Sequence, residues 1–458
     1  MYCIIVWLDF YVERVNRMND LYLLRLEIAG IKNIEKPIGI SFYKKTIKDD
    51  FNPEDYRIKA IYGENGSGKT AVMMAVRFLT KILLDKTYLS DSVNQRLFVE
   101  NINKKNRSGH IEVEYYSKDA MGAFIYRYRV DFEIREDDRA YIRAERLDHK
   151  SGRYTQNQYI PVFETVNGAL VYFEDSNLYP FCRERTQNLL EQRSFATFTG
   201  DIGENNGRDS LSYIHLLNLV LFAANVYVHI DGEDDHRDYV YKHLPAAVKE
   251  SVLKESENLI VYSWASTAGN ETKDLFVPKM FFESYQKQIA RLTAFIQLFK
   301  TDLVNIEIEK KDIGDDLYKC ALVMVYDGYR LDAEYESRGI RKLMTLFEVL
   351  DAACRGTIVF IDELDSNIND IYLNKLLEFF LYYGKGQLCF TAHNLSPMAV
   401  LRKNKNSISF LSGINTVHTW TNNGNQNPEN AYRDGFIEDS PFNVDASDFL
   451  GILGGEDE

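Results

Sequence analysis

The sequence predicts an α/β protein: a mixed sheet with an antiparallel β subdomain, interrupted by a mostly helical segment. Three observations carry that prediction. Residues 57–62 (RIKAIY) read as a buried strand that leads into Gly63-Glu64-Asn65-Gly66-Ser67-Gly68-Lys69-Thr70, and residues 71–84 then read as a helix. Residues 357–361 (TIVFI) and 387–391 (QLCFT) are continuous apolar runs of the kind buried in a parallel sheet, with helical stretches at 343–354 and 373–383. Residues 110–116, 123–134 and 139–147 instead alternate and are rich in Tyr, Val and Ile, the pattern of antiparallel strands.

The remaining elements follow in order. Residues 21–43 read as two short strands with a turn near 34–37. The 71–84 helix is apolar all round, so it should be buried on most sides. Residues 189–299 are mostly helical in pattern and include an acidic loop at 231–238. Strand character returns at 303–310 and 317–334. The implied organisation is an extension at 1–20, an N-terminal lobe at 21–175, a helical insertion at 176–300, a C-terminal lobe at 301–427 and an acidic segment at 428–458. Met18 opens the more conventional sequence, so residues 1–17 read as an appendage or a mis-assigned start.

Composition narrows the class. The 458 residues are 45% hydrophobic and 27% charged, which excludes a largely disordered chain or a coiled-coil rod. The 54 basic side chains against 68 acidic ones give a net charge of −14, so the chain on average is no polyanion binder. Much of that acidity sits in residues 428–458, where Arg433 is the single basic side chain, so a local basic face on the body stays open. Cys3, Cys182, Cys320, Cys354 and Cys389 are odd in number and form no C-x-x-C pair, as expected of reduced thiols in the cytoplasm. No apolar run is long enough for a membrane helix, and the apolar start contains Asp9 and lacks a basic leader.

The octet Gly63–Thr70 fits G-x-x-x-x-G-K-[ST] in the strand–loop–helix context that motif requires. Its backbone N–H groups, from Gly63 through Glu64, Asn65, Gly66, Ser67 and Gly68, should wrap phosphate oxygens at a helix N-terminus. Lys69 should reach the β- and γ-phosphates of ATP, and Thr70 should offer its hydroxyl to Mg²⁺. The run ending in Asp362-Glu363 puts two carboxylates at the carboxyl edge of the sheet, with Asp362 for Mg²⁺ and Glu363 to orient or deprotonate the attacking water.

Two further pieces carry a resemblance. Glu336-Ser337-Arg338-Gly339 opens a helix ahead of Asp362, and His393 follows the QLCFT run in Thr391-Ala392-His393-Asn394. Together with LRLEIAGIKNIEKPIGISF, GENGSGKT and VFIDELDSN, the chain resembles the OLD-like (AAA_15) ATPases, ABC-type heads related to RecF, SMC and Rad50. The resemblance covers about 21–175 and 300–420. It implies an ABC-type head, ATP hydrolysis, and composite sites between subunits. One protomer would supply Lys69, Thr70, Asp362, Glu363 and His393, with catalytic roles for Lys69, Glu363 and His393. The other would present Ser337 and Gly339, and Asp365 would lie where the family's D-loop crosses the interface. Gln95 is the nearest candidate for the family's Q-loop glutamine, with Asn101 or a water as alternatives.

The resemblance also implies partners. The stretch between Lys69 and Ser337 lacks the sustained heptads of SMC and Rad50, and the residues after His393 are too few for the TOPRIM domain of OLD nucleases. A head of this kind looks like the ATPase subunit of PARIS-type phage defence: a homo-oligomer, at least a dimer and with a hexamer also open, that holds a TOPRIM nuclease effector in trans and releases it on a phage-encoded, DNA-mimicking trigger. A Septu-type ATPase partnered with an HNH nuclease and a RecF-like clamp on duplex DNA are the alternatives. The basic stretches 104–107 and 402–405 are candidate DNA contacts, though a solvated surface explains them too. The cluster His229, Asp231, Glu233, Asp234, Asp235 and His236 matches no standard metal spacing and reads as a solvated loop.

Overall fold

The computed structural model describes residues 21–44, 47, 51–119, 122–152, 158–204, 210–230, 275–279, 282–314, 317–404, 406–421, 427–438 and 440. In chain order its principal elements are β1 (Leu21–Ala29), β2 (Ile38–Ser41), β3 (Ile58–Tyr62), α1 (Lys69–Leu84), α2 (Ser92–Asn101), β4 (Ser108–Asp119), β5 (Gly122–Ile134), β6 (Ala140–Ser151), β7 (Ile160–Val166) and β8 (Ala169–Phe173). Next come α3 (Leu211–Ala224), β9 (Val226–His229), β10 (Leu275–Pro278), α4 (Phe282–Gln297), β11 (Leu303–Gly314), β12 (Leu317–Tyr326), β13 (Tyr329–Asp332) and α5 (Arg338–Cys354). The chain closes through β14 (Ile358–Ile361), α6 (Asp370–Tyr383), β15 (Gln387–Thr391), β16 (Ile408–Leu411), β17 (Val417–Thr419) and α7 (Pro428–Arg433).

Three sheets result. The central one has the order β17-β16-β3-β15-β14-β9, and all its neighbours except β16–β17 are parallel. Its strands β3, β14 and β15 are buried along their whole length, as mostly apolar runs in a parallel sheet require, with Lys59, Gln387 and Thr391 as polar exceptions. A second, antiparallel sheet runs β2-β1-β4-β5-β6-β7-β8. A third small sheet pairs β10, β12 and β11, with β13 on β12.

Helix α1 is buried on nearly every residue from Lys69 to Leu84, which its all-round apolar sequence demands. It touches α3, β9 of the central sheet and β4 of the antiparallel sheet. A side-chain amide staples the two large sheets: Gln387 on β15 accepts from Leu23 N at 2.6 Å and donates to Leu23 O at 2.9 Å. No helix among the described residues is long and apolar enough to cross a membrane. Cys182, Cys320, Cys354 and Cys389 are free thiols.

Within 176–300 two short strands, Val226–His229 and Leu275–Pro278, stand among the helices of the described residues. Val226–His229 forms strand β9 beside β14, and α3 packs on α1, so residues 211–229 belong to the central body. A four-residue strand placed directly after an apolar helix carries no periodicity of its own. It is defined by its pairing with β14, more than 120 residues away in sequence. Strands β7 and β8 also extend the antiparallel sheet beyond its three expected strands. Residues 1–20, the acidic loop 231–238 and residues 441–458 lie outside the described residues.

One buried charge sets a stability expectation. Lys59 on β3 is 2% exposed and donates to Ser409 Oγ at 3.2 Å, and burial pulls its amine down to about 7. The unfolded lysine keeps its proton to about pH 10.4, so between pH 7 and that value the unfolded chain binds more protons. Stability should therefore rise with pH across this window, and the penalty is largest below pH 7. Lys59→Met should raise the unfolding free energy by about 2–4 kcal/mol at pH 7 and flatten this dependence. Denaturant unfolding at pH 6.5, 8 and 9.5 checks both; a variant less stable than wild type at pH 6.5 would contradict it.

Candidate nucleotide-binding site

The glycine-rich loop sits between β3 and α1, at the carboxyl edge of the parallel strands. Gly68 caps α1 with φ 108°, in the left-handed region, and a Cβ there would meet Ile34 Cγ1 at 3.0 Å. Gly66 has φ 82° and a Cβ there would meet nothing, so its backbone faces open space. The turn between β1 and β2 leans on the loop: Asn33 Nδ2 donates to Gly66 O. Inside the curl, Lys69 Nζ donates to Gly63 O at 2.7 Å and Glu64 O at 3.0 Å, and the buried Ser67 Oγ has no hydrogen-bond partner. Burial lowers the Lys69 pKa, while the charges of Asp362, then Glu363 and Asp365, oppose that shift. Those three carboxylates therefore share one electrostatic neighbourhood with the loop lysine.

The acidic pair is held by one hydroxyl. Thr391 Oγ1, at the end of β15, donates to Asp362 Oδ1 at 2.6 Å and accepts from Glu363 N at 2.7 Å. Asp362 N donates to His229 O at the end of β9 at 2.9 Å. Glu363 takes a left-handed conformation, φ 49°. Lys342 on α5 supports the turn from below, donating to Glu363 O at 3.1 Å and Ser366 Oγ at 2.6 Å. The Glu363 side chain is left half-exposed (51%), with Oε1 3.8 Å from His393 Nε2 (48% exposed). Asp365 Oδ2 accepts from His393 N at 2.8 Å and Asn394 N at 2.6 Å, which ties the turn after β14 to the turn after β15.

Ser337 caps α5, with its Oγ accepting from Ile340 N at 3.4 Å. Glu336 braces this cap: it accepts from Ser337 N at 2.9 Å and from the hydroxyl of Tyr326 on β12. A Cβ on Gly339 would stand 2.8 Å from Asn367 O, so the glycine is what lets the helix start pack on the turn after β14. Among the described residues no hydrogen bond joins Ser337 or Gly339 to residues 63–70 of the same chain.

The structure thus brings Lys69, Asp362, Glu363, Asp365 and His393 to one sheet edge, and sets Ser337 and Gly339 beside Asn367. Gln95 is elsewhere. It is buried between α2 and β6, donating to Leu89 O and Ala140 O and accepting from Ala140 N, so it braces a hairpin and is no site residue. Asn101 likewise bonds its own helix at Leu97 O. In the basic stretch 104–107, Lys104 pairs with Glu100, Lys105 with Glu35 and Arg107 with Asp138. Lys405 is outside the described residues. Thr391, Lys342, Asn33 and Glu336 lie in or beside the sequence motifs, but the motifs give none of them a role. A threonine ending a strand looks like an ordinary β-former, and the groups that Lys342 and Asn33 hold lie more than 20 residues away in sequence.

No protein-family profile and no curated protein matches the chain. Among solved structures, the Smc head domain with a coiled coil and joint derived from Pyrococcus yayanosii aligns with it. That alignment covers 88% of this chain and 98% of the other at 10% identity, with a TM-score of 0.42. A likeness of that degree decides nothing about this chain, and the site's residues have to speak for themselves.

Proposed function

We propose that the chain is a Mg²⁺-dependent ATPase of the ABC type whose sites form between subunits. The single observation that carries this is the convergence on Lys69 of Asp362, Glu363 and Asp365, at the carboxyl edge of five parallel strands. The residues fit the nucleotide and its metal. The loop has an open Gly66 backbone, a buried hydroxyl on Ser67 without a partner, and a lysine satisfied only by loop carbonyls that a phosphate would replace. Gly63 to Gly68 would hold the phosphate chain through backbone N–H groups, Lys69 would pair with its terminal oxygens, and Thr70 and Asp362 would hold the metal. Bound Mg²⁺ supplies charge neutralisation on the phosphates.

Glu363 would accept the proton of the attacking water, since its carboxylate is exposed while its backbone is fixed by Thr391 and Lys342. His393 stands beside it and would orient that proton transfer. Ser337 and Gly339, on the exposed start of α5, would close on the partner subunit's nucleotide, making ATP a ligand of assembly. The nucleotide test is equilibrium titration of nucleotide-free protein with ATP and Mg²⁺. Saturable binding in the micromolar range supports the proposal, and no binding at millimolar ATP contradicts it.

The finer reading is a defence sensor that holds a toxic nuclease in trans. Its support is the order and wording of the motifs. It is tested by co-purification with the product of the adjacent gene: a stable complex released by a phage protein supports it. A RecF-like clamp would instead bind duplex DNA with a steep salt dependence. The carboxylate partners of Lys104, Lys105 and Arg107 weigh against that alternative.

A further inference from the structure

We propose that His149, Glu174 and His215 form a binding site for one first-row divalent cation, zinc being the best match, that ties the antiparallel sheet to α3. Their ligand atoms all lie within 4.8 Å of one another, and they come from three separate elements. His149 is on β6, Glu174 directly follows β8, and His215 is on α3.

The geometry suits a cation better than a hydrogen-bond network. His149 is buried, and neither of its ring nitrogens has a hydrogen-bond partner. A buried, unsatisfied imidazole is costly, at about 1–3 kcal/mol. Its Nε2 stands 3.6 Å from Glu174 Oε1. That is too long for a hydrogen bond but close to the spacing of two ligands on one ion with bonds of about 2.0–2.2 Å. The His149 and His215 rings are stacked, with centroids 4.0 Å apart at 26°, so their in-plane nitrogens lie side by side, and loading would have to fan the rings apart.

The surroundings match the support that metal ligands receive. Tyr126 Oη is 2.8 Å from His215 Nδ1, which leaves Nε2 as that ring's ligating atom. Ser212 Oγ donates to Glu174 Oε2 at 3.1 Å and orients the carboxylate. Phe124 packs edge-on against both imidazoles and excludes water from that side. Two neutral imidazoles and one carboxylate are a nitrogen–oxygen set suited to zinc. Because α3 packs on α1, the helix that starts at Lys69, the cation would fix the antiparallel sheet to the nucleotide loop's own support.

The test uses full-length protein without a histidine tag, stripped with chelator, loaded with Zn²⁺ and dialysed before elemental analysis. About one zinc per chain is expected, with a clear rise in the thermal midpoint on loading. Glu174→Gln and His149→Ala should each lower the retained zinc at least about tenfold and lose the rise. Glu174→Gln is nearly isosteric, so it keeps the test open if a histidine variant fails to fold. Zinc retention below about a tenth of an equivalent in wild type, or equal retention in wild type and Glu174→Gln, would overturn the proposal. That second result would leave a plain His149–Glu174 ion pair. The readout is metal content without nucleotide, so it stands or falls apart from the ATPase proposal.

Discussion

Lys69→Ala should weaken ATP binding about 30-fold or more, the loss expected when a buried charge pair loses one partner at about 2–5 kcal/mol. The lysine is positioned for this by being the first residue of α1, directly after the left-handed Gly68. Among the described residues its amine donates to the loop carbonyls Gly63 O and Glu64 O, so the substitution removes little else from the fold. Calorimetric titration of nucleotide-free protein with ATP and Mg²⁺ measures the effect, with the unfolding midpoint as control. An affinity within threefold of wild type would remove the loop lysine from phosphate binding.

Glu363→Gln should have an even larger effect on turnover while leaving ATP affinity nearly unchanged. The change keeps size and shape but removes the proton acceptor, and a positioned general base contributes about 10²- to 10⁴-fold. The surrounding turn should survive because its supports are to the backbone. Thr391 Oγ1 accepts from Glu363 N, and Lys342 Nζ donates to Glu363 O. Among the described residues the carboxylate itself is in ion-pair range of His393, at 3.8 Å. Phosphate release under saturating ATP checks the rate, and titration checks the affinity. A rate equal to wild type would assign the base elsewhere.

How much of this was legible in the sequence follows from how each element is stabilised. Strands β3, β14 and β15 are buried on both faces, so their burial writes short runs that are mostly apolar, broken by Lys59 in β3 and by Gln387 and Thr391 at the ends of β15, and their carboxyl ends carry Gly63, Asp362 and His393. Helix α1 was visible for the same reason. Strand β9 was not, because four residues have no period to read and the pairing that defines them is with β14. Helix α5 begins at Arg338, where the Glu336–Gly339 motif places a helix start and five residues ahead of the apolar spacing at 343, since the cap at Ser337 and the bracing of Glu336 fix that start.

The site divides the same way. Residues whose chemistry is in their own side chain, Lys69 and the Asp362–Glu363 pair, could be named from motif and context. Residues that work by holding a neighbour could not. Thr391 fixes Asp362 and Glu363 through one hydroxyl, and Lys342 reaches the same turn from another element. Gln95 misled because an amide near the right place in sequence is, in space, a brace between α2 and β6.

The central claim is that ATP is closed between two copies of this chain, with Ser337 on one and Lys69 on the other. The most direct test is the molecular mass of the Glu363→Gln protein in solution, with and without ATP and Mg²⁺, in a background with Ser337 intact and in one carrying Ser337→Arg. ATP should drive association of the first and leave the second unchanged, although both bind ATP equally. Mixing Ser337→Arg protein with Lys69→Ala protein should restore ATP-dependent pairing, because each supplies the half the other lacks. Masses that do not respond to ATP, or that respond equally with and without Ser337, would contradict the composite site.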